Sequence, residues 1–253
     1  MSDQQIPLEN LNEYCSTDVH QKEKLCRIPF TAEEAQHETQ PTHINDLSWR
    51  IFRIMAEFVE GFQFLSETSK EVTFWGGTKV LSSSKWYKEA EKLGQMCAKS
   101  GYAVITGGGS GIMEAGNKGA KEAGGQSFGF NIQLPSEQQL NRFVNKGLAF
   151  HYFFSRKVMM AASAQAYVFF PGGFGTLDEF FEIVTLIETN KMQPTPVICM
   201  GKDFWGGLTE WIEETQIKKF KTIDKKHREI FQIVDSAKEA FEIIKTSEER
   251  TIF

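Results

Sequence analysis

Cysteine is scarce in this chain. The four cysteines, Cys15, Cys26, Cys97 and Cys199, form no CxxC pair. A disulfide-stapled fold is thereby excluded, and Cys97 and Cys199, inside apolar runs, read as reduced thiols. Histidine is equally thin. His20, His37, His43, His151 and His227 never fall at i, i+4 with one another or at metal-ligand spacing with a cysteine, so no metal site is expected. Long apolar runs are missing too. The longest stretch without charge, Val158 to Leu177, contains Ser163, Gln165 and the Pro171-Gly172-Gly173 turn, which excludes a membrane-spanning helix there. There is no excess of basic residues. With a net charge of −5, the chain offers no basic face for duplex nucleic acid, so neither nucleic acid nor a membrane is expected as a partner. The opening Met1-Ser2-Asp3-Gln4-Gln5 lacks the basic start and apolar stretch of a secretory signal, which predicts a cytoplasmic location.

What is present is a core. At 253 residues, 41% hydrophobic and with 22 phenylalanines, the chain suffices for one large domain or two small ones, on a prior of roughly 150 residues per domain. Charge is unevenly spread. Residues 1–46 hold nine acidic and three basic side chains, so they carry −6 and the remaining 207 residues carry +1. With Pro7, Pro29 and Pro41 and no sustained period, residues 1–46 read as a loosely ordered acidic arm that a truncated protein could lose without cost.

From residue 47 the pattern is helical. Leu47, Ile51, Ile54, Met55, Phe58, Phe62 and Leu65 recur at helical spacing, while Trp49, Phe52 and Val59 make the opposite side apolar as well. A helix over 47–66 covered on two sides is predicted: one side packs on its own domain and the other meets a partner subunit, so a homodimer or higher homo-oligomer is expected. Short β-rich runs then alternate with helical segments: 72–75, 85–99, 102–106, 112–123, 127–132, a loop, 155–163, 166–170, 176–190, 196–200, 206–217, 230–234 and 236–246. Apolar strands alternating with helices predict an α/β fold, a doubly wound (Rossmann-like) parallel sheet with helices on both faces, forming one domain over 47–253 with the helix 47–66 at its start.

In open α/β sheets ligands bind beyond the carboxyl ends of strands. Two strand-to-helix loops there are glycine-rich: Gly107-Gly108-Gly109-Ser110-Gly111, and Pro171-Gly172-Gly173-Phe174-Gly175-Thr176. Glycine lets the backbone approach a ligand, and the following helix presents unpaired N–H groups, a combination suited to phosphate. Either loop alone is also what a tight turn looks like. The dinucleotide pattern GxGxxG fails at Ile112, and neither loop has the lysine of GxxxxGK[ST]. Thr176-Leu177-Asp178-Glu179 fits a capping box, with Thr176 as cap and Glu179 bonding back; the same geometry would hold a carboxylate at the mouth of a phosphate-binding helix. Ser155 reads as the N-cap of the helical segment 155–163, whose first turn holds the two cations Arg156 and Lys157. Either surface carboxylates or a bound phosphate would explain that placement. The basic run from Lys218 to Arg228 reads as a solvated face.

Arg156-Lys157 and, fourteen residues after Lys157, Pro171-Gly172-Gly173-Phe174-Gly175-Thr176-Leu177-Asp178-Glu179 resemble the RK and PGGxGTxxE motifs of the Lonely Guy family of nucleotide phosphoribohydrolases. The resemblance extends over 47–217. It includes Ser48–Phe58, which is similar to the start of the longer bacterial members, Gly107–Gly116 and Asn131–Pro135. It implies hydrolysis of the N-glycosidic bond of a purine nucleoside 5′-monophosphate such as AMP, or a cytokinin precursor, to free base and ribose 5-phosphate, with no metal or organic cofactor. By the motif, Arg156 and Glu179 take the catalytic positions. Gly172, Gly173, Gly175 and Thr176 bind the 5′-phosphate with Lys157 nearby, and Gly107, Gly108, Gly109 and Met113 lie toward the rest of the substrate. The chain has Phe154-Ser155 where short plant-type members have His-Glu, and Glu114 where they have Gly, which leaves the base preference open. A lysine decarboxylase, as members are often labelled, would need a Schiff-base lysine, and Lys157 is the one lysine near the expected site. A non-enzymatic nucleotide sensor or carrier on the same fold is the alternative.

Overall fold

The computed structural model describes residues 44–133 and 140–249. Residues 1–43 of the acidic arm, and Leu134 and Pro135, lie outside them. Residues 44–46, read from the sequence as arm, form the first turn of helix α1 (Ile44–Ser66). Seven strands follow, β1 (Glu71–Trp75), β2 (Ala103–Thr106), β3 (Ser127–Ile132), β4 (Lys146–Phe150), β5 (Ala166–Phe169), β6 (Val197–Met200) and β7 (Phe231–Val234). The helices between and after them are α2 (Lys85–Lys99), α3 (Ile112–Glu122), α4 (Phe153–Ala162), α5 (Phe174–Glu188), α6 (Lys202–Trp211) and α7 (Ala237–Ile244). The strand order is β4-β3-β2-β1-β5-β6-β7, and every neighbouring pair is parallel. This is the doubly wound α/β fold that the alternation predicts.

Alternation along each strand divides the core. Val72, Phe74, Val104, Ala166, Val168, Ile198 and Met200 pack under α2, α3 and α7. Trp75, Ile105, Phe130, Tyr167, Phe169 and Cys199 pack on the other face with Phe64 of α1, Met159 of α4, Phe180 of α5 and Trp205 of α6. Trp75 and Phe169, on adjacent strands, stack with ring centroids 4.7 Å apart. Burying each such ring contributes roughly 1.5–3 kcal/mol, so both faces are driven shut by the same period-two pattern.

Other parts of the chain also differ from the sequence reading. The segment read as a loop contains β4, an edge strand whose Lys146-Gly147-Leu148-Ala149-Phe150 is only partly buried and so shows no apolar run. Helix α4 starts at Phe153, capped by Tyr152 without a side-chain bond, so Ser155 is not its N-cap. Helix α5 starts at Phe174 with Gly173 as N-cap, so Thr176 lies inside the first turn and the expected capping box does not form. Helix α6 begins four residues early and continues as a π-helical turn over Ile212–Lys219, while Lys225–Ile230 is a short 3-10 helix rather than open loop.

Helix α1 presents two stripes. Glu57, Gly61 and Phe64 face inward, and a Cβ on Gly61 would lie 2.6 Å from Met159 Cγ of α4. Trp49, Phe52, Met55, Val59 and Phe62 face outward, with Trp49 73% exposed. Among the described residues no helix is long and apolar enough to cross a membrane.

Candidate active site

The chain runs outward from β1 through β2, β3 and β4, then returns to place β5 against the other side of β1. Loops leaving the carboxyl ends of β1 and β5 therefore diverge, and a crevice opens between them, the switch point of a doubly wound sheet. Three loops meet there. Gly76-Gly77 follows β1, Gly107–Gly111 follows β2, and Pro171–Gly173 follows β5. They are tied together: Gly77 N–H donates to Pro171 O at 3.0 Å and Ile112 N–H to Gly77 O at 3.2 Å. Gly111 has φ +67°, where only glycine is unstrained, and an added Cβ there would be driven into Gly77 O. The Gly76-Gly77 pair is a part of the site that sequence reading missed, although a glycine pair directly after the central strand marks it.

The second loop opens a helix whose donors are free of side-chain capping. Leu177 N–H makes the first helical bond, to Gly173 O at 3.1 Å, so the N–H groups of Phe174, Gly175 and Thr176 lie ahead of the helical ladder. Added Cβ atoms on Gly173 or Gly175 would meet nothing within 4 Å. Both glycines are exposed, Thr176 is buried and Gly172 is partly buried against it. Gly107, Gly108 and Gly109 are buried, and the loop that holds them is braced by a polar network. In it Gly108 N–H donates to Thr106 Oγ1 at 2.9 Å, Thr106 to Asn117 Oδ1 at 2.6 Å, and Asn141 Nδ2 to both Asn117 Oδ1 and Gly109 O at 2.9 Å.

Arg156 reaches this crevice from α4. Its Nε donates to Phe130 O of β3 at 2.8 Å, which fixes the plane of the guanidinium, and Nη2 lies 4.0 Å from Glu179 Oε1 of α5. The two side chains are 12% and 15% exposed. Burial raises the Glu179 carboxyl to about 7 even though Arg156 and then Lys157 pull it down, and burial also lowers Arg156 against the opposing pull of Glu179. At 4.0 Å the pair is too long for a tight hydrogen bond, so both groups keep bonding capacity for a third party between them. Glu179 is one turn from the open donors of Phe174–Thr176, and with Gly173 as the N-cap it has no capping work to do.

Lys157, read with Arg156 as a possible phosphate ligand, is held elsewhere. Its Nζ sits 2.8 Å from Asp178 and 3.1 Å from Glu182, the surface pairing that was the other reading of this cation. Burial alone would lower its pKa, but the hydrogen bonds it donates to those carboxylates hold it above the ordinary lysine value. A Schiff-base lysine must present a neutral amine, so Lys157 does not fit pyridoxal chemistry. Among the described residues, no three His, Cys, Asp or Glu side chains gather as metal ligands.

Gly107 joins the first loop to Arg156. A Cβ there would collide with Arg156 Nη2 and lie 2.7 Å from Met113 Sδ, both at the ends of flexible side chains. Gly107→Ala is therefore expected to fold with little change in Tm while displacing the guanidinium. If Arg156 acts on the reacting substrate, turnover falls at least about tenfold, because misplacing a catalytic group by about 1 Å can cost 10²-fold. Thermal melts and steady-state kinetics on one preparation check this.

Residues 113–244 match the family model described as "Possible lysine decarboxylase". A cytokinin riboside 5′-monophosphate phosphoribohydrolase of Rhodococcoides fascians is 28% identical over 160 residues, 61% of this chain and 80% of that protein. A cytokinin riboside 5′-monophosphate phosphoribohydrolase of Arabidopsis thaliana is 25% identical over 194 residues, 76% of this chain and 87% of its own. Among solved structures, the molybdenum cofactor binding protein of Rippkaea orientalis superposes with a TM-score of 0.53 at 24% identity, covering 71% of this chain and 97% of that one. The molybdenum cofactor carrier protein of Chlamydomonas reinhardtii does so with a TM-score of 0.53 at 20% identity, covering 71% and 98%. At these identities the structural likeness speaks for the fold alone.

Proposed function

The chain belongs to the Lonely Guy family, whose model is described as possible lysine decarboxylase, and from that premise we propose that it hydrolyses the N-glycosidic bond of a purine nucleoside 5′-monophosphate. The observation that carries this reading is the buried Arg156–Glu179 pair, 4.0 Å apart, beside a helix N-terminus with open donors. The N–H groups of Phe174, Gly175 and Thr176, with Gly172 and Gly173 yielding space, hold the 5′-phosphate. That anchor sets the ribose across Arg156 and Glu179, with the base toward Gly107–Gly109 and Met113. Departure of the base leaves an oxocarbenium-like ribose, and the Glu179 carboxylate stabilises that cation and orients the attacking water. Arg156, its fork fixed by Phe130 O, keeps the sugar phosphate in register. Lys157 serves as a tether between α4 and α5 through Asp178 and Glu182. Action on a cytokinin riboside 5′-monophosphate, the substrate for which the plant and bacterial relatives are named, is the finer form of the same proposal.

Phosphate dependence tests the reading. AMP should be hydrolysed with a kcat/KM at least about 10²-fold above that of adenosine, since the phosphate anchor supplies the orientation. Equal rates on the two would contradict the assignment of the Gly172–Thr176 loop. The other candidate is a carrier on the same fold that binds a nucleotide without turnover, and the Arg156–Glu179 pair is the feature that favours hydrolysis over it.

The outward stripe of α1 bears on assembly. Phe52, Met55, Val59 and Phe62 repeat at alternating steps of three and four, the seam by which one helix packs against another. A homodimer joined through α1 is the proposed state. Sedimentation at micromolar concentration should give a dimer or larger, and Phe52→Glu combined with Val59→Glu should shift it to monomer. A monomeric parent protein would contradict the proposal.

A further inference from the structure

We propose that Glu57 of α1 is a positioning residue for Arg156, which makes this helix part of the working site rather than an accessory to the fold. The inference rests on the proposed reaction, but its test below does not depend on turnover. Glu57 is a carboxylate only 6% exposed, and such a group is tolerated only with strong partners. Its hydrogen-bond partners come from the approach to α4 and from the first turn of that helix. His151 N–H donates to Oε1 at 2.7 Å, Tyr152 N–H lies 3.5 Å from Oε2, and the Ser155 hydroxyl donates to Oε2 at short range.

That arrangement does the work of a helix cap from a different element. Tyr152, the N-cap of α4, makes no side-chain capping bond, so the negative charge at the positive end of the helix comes from about 95 residues upstream. Arg156 is the next residue after Ser155, and its N–H closes the first helical bond to Tyr152 O at 3.3 Å. The turn that Glu57 grips is thus the turn that aims the guanidinium at Phe130 O and Glu179. One turn further along α1, Gly61 brings the backbone against Met159 of the same helix, so two successive contacts set the placement of α4. A serine or aspartate at position 152 could have capped α4 locally. The cap from Glu57 instead couples α1 to the arginine.

The Glu179 carboxyl reports the position of Arg156 without any turnover. It is faced by Arg156 and Lys157 of α4 and by Asp178 and Glu182 of its own helix, and burial, eased by Arg156, sets it near 7. Around Glu57 the neighbouring acid is Glu60, raised by burial and by the Glu57 charge.

The experiment is a carbon-13 NMR titration of the full-length protein labelled at glutamate side-chain carboxyls, with Glu179 assigned by its loss in Glu179→Gln. In Glu57→Gln, a guanidinium moved off Glu179 should let the Glu179 titration rise by about one pH unit. Ser155→Ala, which keeps the buried charge and removes one of its bonds, should give a smaller shift in the same direction, and it carries the test if Glu57→Gln does not fold. AMP hydrolysis, measured alongside, should fall about tenfold or more in kcat for Glu57→Gln. If Glu57 only supports stability, the variants melt earlier while Glu179 titrates as in the parent, and the proposal is overturned. If the parent hydrolyses no nucleotide yet the Glu179 shift appears, the proposed reaction fails and the coupling from Glu57 stands.

Discussion

Glu179→Gln is expected to lower turnover of AMP by at least about 10²-fold, the loss of some 2.7 kcal/mol of transition-state stabilisation, while AMP still binds. Substrate binding survives because the phosphate donors are backbone groups of Phe174–Thr176. The change removes the charge facing the ribose cation and nothing from the helix cap, which is Gly173. Stability should move the other way. The folded carboxyl sits at about 7 against an ordinary 4.5, so the protonated acid is the form the fold prefers. The stability this contributes is fully present below about pH 4.5 and is lost as pH rises through 7, a difference on the order of 3 kcal/mol. A glutamine cannot ionise, so the variant's Tm at pH 8 should be no lower than the parent's. The parent's kcat/KM should climb through about pH 7 as the working carboxylate forms, an acid limb absent from the variant's residual rate. A glutamine variant that turns over AMP at the parent rate would remove Glu179 from the mechanism.

Arg156→Ala is expected to cost more, about 10³-fold in kcat/KM, because two effects combine. The sugar phosphate loses its planar fork, and Glu179 loses the strongest charge that opposes its burial. The Glu179 carboxyl then rises further above 7, less of it is ionised at neutral pH, and the acid limb of the residual activity should move to higher pH. Arg156→Lys keeps a charge but not the bond from Nε to Phe130 O, and an intermediate loss of about ten- to a hundredfold is expected. Kinetics across pH 5 to 9 separate the two effects: a drop with no shift of the limb would leave positioning alone.

The strand-and-helix alternation was legible in the sequence because β1, β2, β3, β5 and β6 are buried almost throughout, so the apolar residues in their runs stand out. β4 was not, since an edge strand with one partner carries the half-polar Lys146–Phe150. The two long glycine loops and the Arg156–Glu179 pairing were readable as motifs. The start of α5 is masked in the sequence because Thr-x-x-Glu matches a local capping pattern, whereas the backbone already turns into the helix at Gly173, three residues before Thr176. Lys157 could not be assigned from sequence. Whether a cation meets phosphate or carboxylate depends on where Asp178 and Glu182 fall one helix away. Glu57 had a signal that sequence reading passed over, an acid at the inward spacing Ile54, Glu57, Gly61, Phe64 of a helix otherwise apolar on that stripe.

Purified protein incubated with AMP, with adenine and ribose 5-phosphate both quantified, tests the central claim most directly. The account expects the two products to appear in equal amounts over many turnovers and to be lost in Glu179→Gln. AMP that binds stoichiometrically and is recovered intact, with no ribose 5-phosphate even when enzyme matches substrate, would contradict hydrolysis and leave a nucleotide carrier.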